Sequence, residues 1–564
     1  MATAWTVFSG SEPEPMQVEI LGVLRGARGP GHDMILAQLH GSKPEYTGVV
    51  AGMSGSPVYV GDRLLGALSY RIGQFSRDPI AGITPVAQML EVRDLPLDGQ
   101  VGGQQNVAAL ASAKVSAEAS SQFAQFQAMD TPLVMAGFRP EAVKLWQQRL
   151  AGTGLDTVAA GGVSGSSSDS GDLGSPSSSR ALAALKPGSA VSMQLVRGDL
   201  EIAATCTVTY VDPKQLLACG HPVLQAGPVS LPMTSAEVVA TLASPLNAFK
   251  IVNTGPVIGV FNQDRDAAIR GVLGAPARMI PFRIRLRSAS GERQVKLEVL
   301  DQPTLTPQAV MVTLYNSLLN SNESSAETSY HLTGSIALDG LPPVPIDFWA
   351  PGGESPAAMT AALLVGDRFS HLYDNAGRTG LIRSVSIEVE IVPHRVDVDL
   401  ESARLVSGDI LYAGQQVEVE ATLRPWREQP RNLRLRFQLP ARLGAGDLRL
   451  LVSDAATLDR TLDQPRFSPR PASLEAVLAE ARRQHPADRL YVSLLAPETQ
   501  ASLDGETLPG LPLSWANTLE PQRAAQQASL NGESAELAAE ADAGGILSGF
   551  VILNLHIDSG GGVN

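Results

Sequence analysis

No stretch of this 564-residue chain approaches the roughly 18 consecutive apolar residues that a membrane-crossing helix needs, so no span is expected. Cysteine is nearly absent. The two that occur, Cys206 and Cys219, form no CxxC pair, which argues against a zinc site; no metal and no organic cofactor is implied. Basic residues are the minority, 43 Lys and Arg against 57 Asp and Glu, and the resulting net charge of −14 argues against nucleic acid or an anionic membrane as the main partner. The opening Met-Ala-Thr-Ala-Trp-Thr-Val-Phe-Ser-Gly lacks both a basic n-region and a long apolar h-region, so it does not read as a signal peptide.

What the chain does contain points to a folded, strand-rich protein. Hydrophobic residues make up 44%, and 53 glycines with 39 prolines suit many short strands and turns. The length is too great for one core and suggests about three to five domains. Residues 1–97 alternate in the β manner. Residues 98–159 read as a helical connector, with helical periodicity over 104–128 and a helix opening at Pro140. Residues 160–185 include a Gly/Ser/Asp tract that reads as a flexible linker. Strand patterns return over 186–300, an α+β module is expected over 301–395 and a β-sandwich-like module over 396–510. A polar tail with a terminal strand, Gly549–Ile557, completes the chain at 511–564.

Between two β-like runs, Tyr46–Ala51 and Val58–Tyr70, lies Gly52-Met53-Ser54-Gly55-Ser56-Pro57. Glycines on both sides let the backbone turn tightly around Ser54, leaving its hydroxyl uncovered beside backbone N–H groups. That is the geometry of a nucleophile facing an oxyanion hole; a plain turn between strands is the competing reading. A serine nucleophile needs a base, and histidine is the usual one at neutral pH. Of eight histidines, His331, His371, His394, His485 and His556 read as structural or exposed, and His32 and His40 have only sequence proximity to Ser54. His221 differs: it ends the strand Leu216–Cys219 inside Gly220-His221-Pro222, flanked by a small and a rigid residue that expose the ring. The cysteines flank a turn at 211–214, in a register that sets Cys206 opposite Cys219. Either a disulfide or two buried thiols fits, and a bridge would favour an oxidising compartment.

The hexapeptide at 52–57, the hairpin to Tyr70 and Ala218-Cys219-Gly220-His221-Pro222 resemble the SpoIVB-type serine peptidases of the chymotrypsin-like clan. The resemblance covers roughly residues 16–95 and 190–285, and here the Ser and His segments stand in permuted order. It implies a mainly β fold: a chymotrypsin-like double β-barrel assembled from two separated segments. It further implies Ser54 as nucleophile, His221 as base, and the N–H groups of Gly52 and Ser54 as the oxyanion hole. For the third member Asp264 is the leading residue, with Asp266 and Asp33 as rivals and a Ser–His dyad assisted by a carbonyl as another form. The function implied is a serine endopeptidase of narrow specificity, self-cleaving in one form, acting on a protein or peptide outside the cytoplasm. Ser69-Tyr70-Arg71 would line the substrate, and the few charges nearby suggest a neutral or apolar side chain at the cleavage site. The competing function is a non-catalytic binding or scaffold protein that keeps the barrel.

Overall fold

Alternation of apolar and polar residues builds the first elements. In β1 (Ala2–Thr6) every second residue is buried, and the same period runs through most of β3 (Met34–His40). With β2 (Glu14–Leu24), β4 (Pro57–Val60), β5 (Arg63–Ile72) and β6 (Ile80–Pro85) these strands form one antiparallel sheet in the order β4-β1-β2-β3-β6-β5. Because β4 pairs with β5 as well as with β1, the sheet returns on itself as a closed six-stranded barrel. Met16, Val18, Leu39, Val58, Leu68 and Ile83 fill its core.

The computed structural model describes residues 1–72, 78–96, 126–150, 157–158, 173, 175–244, 248–321, 325–353, 355–373, 382–408, 410–462, 474–496, 499–503, 506–511, 513–519, 521, 528–531 and 534–558. Strand outweighs helix, 52% against 19%, so the chain is mainly β. It divides into two compact units: Met1–Phe282 with Val295–Asn316, and Arg283–Gln294 with Ser317–Asn564.

The first unit carries a second closed barrel. After β7 (Phe126–Ala128), β8 (Leu133–Ala136) and the two-residue β9 (Thr157–Val158) come β10 (Ala190–Gly198), β11 (Glu201–Val211) and β12 (Gln215–Ala218). The long β13 (Gly227–Leu242) and β14 (Phe249–Arg265) and the short β15 (Ala268–Leu273) follow. Their order is β10-β13-β14-β15-β12-β11, closed by β10 pairing with β11. Two six-stranded barrels in one unit, one from each separated segment, accord with the barrel-rich fold expected from sequence.

The second unit pairs Val344–Ala350, Ser329–Leu338 and Ile382–Val392 in one sheet, with the helix Ala357–Tyr373. It also holds a sandwich of a four-stranded and a five-stranded sheet, whose inner faces share a core that includes Val417, Leu435, Leu450, Val492 and Leu555. The terminal strand, Phe550–Asp558, lies inside this sandwich, paired with Gly446–Ser453.

Three local readings differ from expectation. The run before Ser54, expected as strand over Tyr46–Ala51, is instead the short helix α1 (Ser42–Thr47) followed by a loop. Glu45 turns back to accept the Gly41 amide at 3.0 Å, capping the first turn. Part of the Gly/Ser tract forms a helix, Pro176–Ala184, because the Ser175 hydroxyl accepts the Ser178 amide and proline occupies the first turn. Residues 126–128 are a strand rather than the end of a helix, since their backbone pairs with β5. The rest of the expected helix, and the linker over 160–172, lie outside the described residues.

Candidate active site

Ser54 lies where the two barrels meet, in a loop whose backbone is almost fully engaged. Met53 N donates to Val50 O, Gly55 N to Leu68 O at 2.7 Å and Ser56 N to Met53 O. The carbonyls face the second barrel: Thr207 Oγ1 donates to Gly52 O, Thr207 N to Ser54 O and Thr209 Oγ1 to Gly55 O. Among the described residues the amides of Gly52 and Ser54 have no acceptor, and neither does the Ser54 hydroxyl a partner. Buried N–H groups are nearly always paired, so two acceptor-less amides within three residues of one buried loop are unusual.

His221 arrives on the opposite loop. Cys219 and Gly220 both adopt the left-handed conformation, φ 66° and 72°, and turn the chain sharply after β12. For Cys219 this is a strained state, and a disulfide to Cys206 on β11 holds it there. The cysteines are not directly opposite in a regular ladder, because a bulge near Thr209 shifts the register. Gly220 packs so tightly on β5 that a Cβ there would lie 2.1 Å from Ser69 Oγ, and Thr84 Oγ1 donates to its carbonyl.

The imidazole of His221 donates from Nδ1 to the Pro222 carbonyl at 2.7 Å. A carbonyl oxygen only accepts, so Nδ1 carries the proton and Nε2 presents its lone pair, the form a general base requires. Nε2 is buried and has no partner among the described residues; it is not hydrogen-bonded to Ser54. Burial lowers the ring's pKa to about 4, with Arg28 adding repulsion and the Pro222 bond opposing both.

Asp264 does not touch the imidazole. Its carboxylate accepts the amides of Val223 at 2.9 Å, Leu224 at 2.6 Å and, more weakly, Ala226 at 3.5 Å. It therefore fixes the loop that carries the Pro222 carbonyl and acts on His221 at one remove. Burial pushes its carboxyl pKa up despite those amides. The rivals are engaged elsewhere: Asp266 pairs with Arg28, and Asp33 accepts the Gly26 amide. Among the described residues no His, Cys, Asp and Glu cluster is arranged to hold a metal.

Sequence reasoning missed Lys250. It sits alone in the apolar run Ala248–Val252, is fully buried behind Gly52, and donates Nζ to Thr6 Oγ1 at 2.8 Å. Desolvation pushes its pKa from 10.5 to about 7. Between those values the unfolded chain holds a proton that the folded one lacks, so stability rises as pH climbs from about 7 to 10.5. Lys250→Met is expected to flatten that slope and to stabilise the fold at pH 7 by roughly 2–4 kcal/mol. Denaturant unfolding of both proteins at pH 7 and pH 10 checks this.

No family model, curated protein or solved structure matches this chain.

Proposed function

We propose that the two-barrel unit is a serine endopeptidase of narrow specificity with a chymotrypsin-like arrangement, related in motif to the SpoIVB-type peptidases. Ser54 Oγ attacks a peptide carbonyl carbon while its proton passes to His221 Nε2. The amides of Gly52 and Ser54 hold the resulting oxyanion. The carbon–nitrogen bond then breaks, His221 returns the proton to the leaving amine, and an acyl-Ser54 ester remains. Water, deprotonated by His221, hydrolyses that ester. The Pro222 carbonyl does for the ring what a carboxylate does in a triad: it fixes the tautomer and orientation. Asp264 is a positioning residue behind it. Ser69–Arg71 on β5 is the strand along which substrate lies, and the disulfide suits an oxidising, extracytoplasmic setting.

One observation carries this reading: the two acceptor-less amides beside an unpartnered, buried serine hydroxyl. The direct test is a fluorophosphonate probe on the full chain. Covalent labelling is expected on Ser54, lost in Ser54→Ala with the melting temperature unchanged. Folded protein that never labels between pH 5 and 9, even with the cleft opened as below, points to the second reading, a binding barrel without catalysis. The closure of the site favours that reading, since Ser54 is 0% and His221 2% exposed.

A further inference from the structure

One segment of the first unit lies against the loop that carries Ser54. Residues 126–136 run from one barrel to the other across the Ser54 loop. Strand β7 adds antiparallel to the edge of β5, with Ala128 opposite Tyr70, Gln127 opposite Arg71 and Phe126 opposite Ile72. Met129 N then donates to Ser69 O at 2.8 Å. The Met129 side chain is 2% exposed and joins the apolar core of the first barrel, in the cluster that also holds Val50, Met53 and Leu68 of and near the Ser54 loop. Asp130 pairs with Arg71 in a largely buried ion pair. The ring of Pro132 lies against Gly52, 3.4 Å from where a Cβ would stand, and Pro132 O accepts the Thr205 amide. Strand β8 continues antiparallel along β11, Leu133 opposite Ala204.

A strand laid on a sheet edge, with one side chain in an apolar seat beside the nucleophile loop, is the posture of a bound peptide. Resting on the peptidase reading above, we propose that residues 126–132 are a tethered pseudosubstrate, and that the substrate displacing them is an extended peptide with an unbranched apolar residue, methionine or close to it, at the position of Met129. The tether explains why such a strand blocks the site. The chain is held on β5 before Met129 and on β11 after Pro132, so an amine released at the Met129–Asp130 bond could not leave. The pinned segment also keeps out the water that deacylation needs. A peptide gains the seat by outcompeting an intramolecular strand, which makes narrow specificity a property of the tether as well as of the pocket.

The test uses the full chain with Met129→Asp, which sets a charge in the apolar seat, and Met129→Ala, a milder loosening that carries the test should the first variant not fold. Two readouts are taken: fluorophosphonate labelling of Ser54, and, in a Ser54→Ala background, anisotropy of a fluorescent peptide Phe-Gln-Ala-Met-Asp-Thr-Pro. Either variant is expected to label at least about ten-fold faster than the parent. Either is also expected to bind the peptide where the parent does not, and to reject the same peptide with Asp in place of Met. Peptide binding without labelling keeps the pseudosubstrate seat and sinks the catalytic reading. Labelling equally fast in parent and variants, with no peptide binding in any, overturns the pseudosubstrate and leaves the peptidase standing.

Discussion

His221→Ala is expected to slow fluorophosphonate labelling of Ser54 by about three orders of magnitude, the loss typical when a serine nucleophile is deprived of its base. The pH profile separates this from a structural effect. Burial lowers the ring's pKa to about 4, so the imidazole stays neutral down to pH 5 and, if it serves as proposed, the acid limb of labelling falls near 4 rather than 6.5. Desolvation is the largest cause of that depression, so admitting water should undo it. In Met129→Ala, which loosens the seat without adding a charge, the acid limb is expected to move upward toward 6.5 while the rate at pH 8 rises. The His221→Ala protein should show no acid limb. An acid limb that stays at the same pH in parent and opened variant would separate the ring's burial from the occupancy of the cleft. Rates measured at half-unit intervals from pH 3.5 to 8 decide the matter.

The residues flanking the serine and the histidine were legible because each is a local signal: two glycines around Ser54, a glycine and a proline around His221. Closure of each barrel was legible only as strand content, since alternation reports a buried face and not which strand meets which. A carbonyl beside the histidine was among the readings of the sequence, but which carbonyl partners His221 Nδ1 was not legible. A backbone carbonyl leaves no trace in residue identity, whereas Asp264 looked suitable and turned out to bind amides of the same loop. The segment over 126–132 was hidden for a related reason. Its Ala/Gln-rich surroundings carry a helical period, and only pairing with the β5 edge makes it a strand. Lys250 was visible as a charge within an apolar run, but no spacing rule links it to Gly52.

Gly55→Ala is expected to cost about 4 kcal/mol or more, a large part of the stability of an ordinary domain, and to abolish Ser54 labelling although neither Ser54 nor His221 is changed. Gly55 holds φ +92°, and a Cβ there would stand 2.0 Å from Thr207 O, 2.5 Å from Cys219 N and 3.0 Å from Cys219 Cα. All three neighbours are backbone, so no side chain can rotate aside. Nor can the two walls part, because Thr207 and Cys206 share β11 and the disulfide ties Cys219 to it. The clash must be relieved by separating the Ser54 loop from the second barrel, which breaks the bonds of Thr207 and Thr209 to the loop carbonyls and opens the gap that His221 has to span. Gly61→Ala is the matched control. It has a positive φ of 58° but nothing within 4 Å of its Cβ position, so strain alone should cost about 1 kcal/mol and leave labelling intact. Urea unfolding of the two variants side by side measures the difference. Comparable losses in both would mean that backbone strain, and not the seam between the barrels, governs how the serine loop is held.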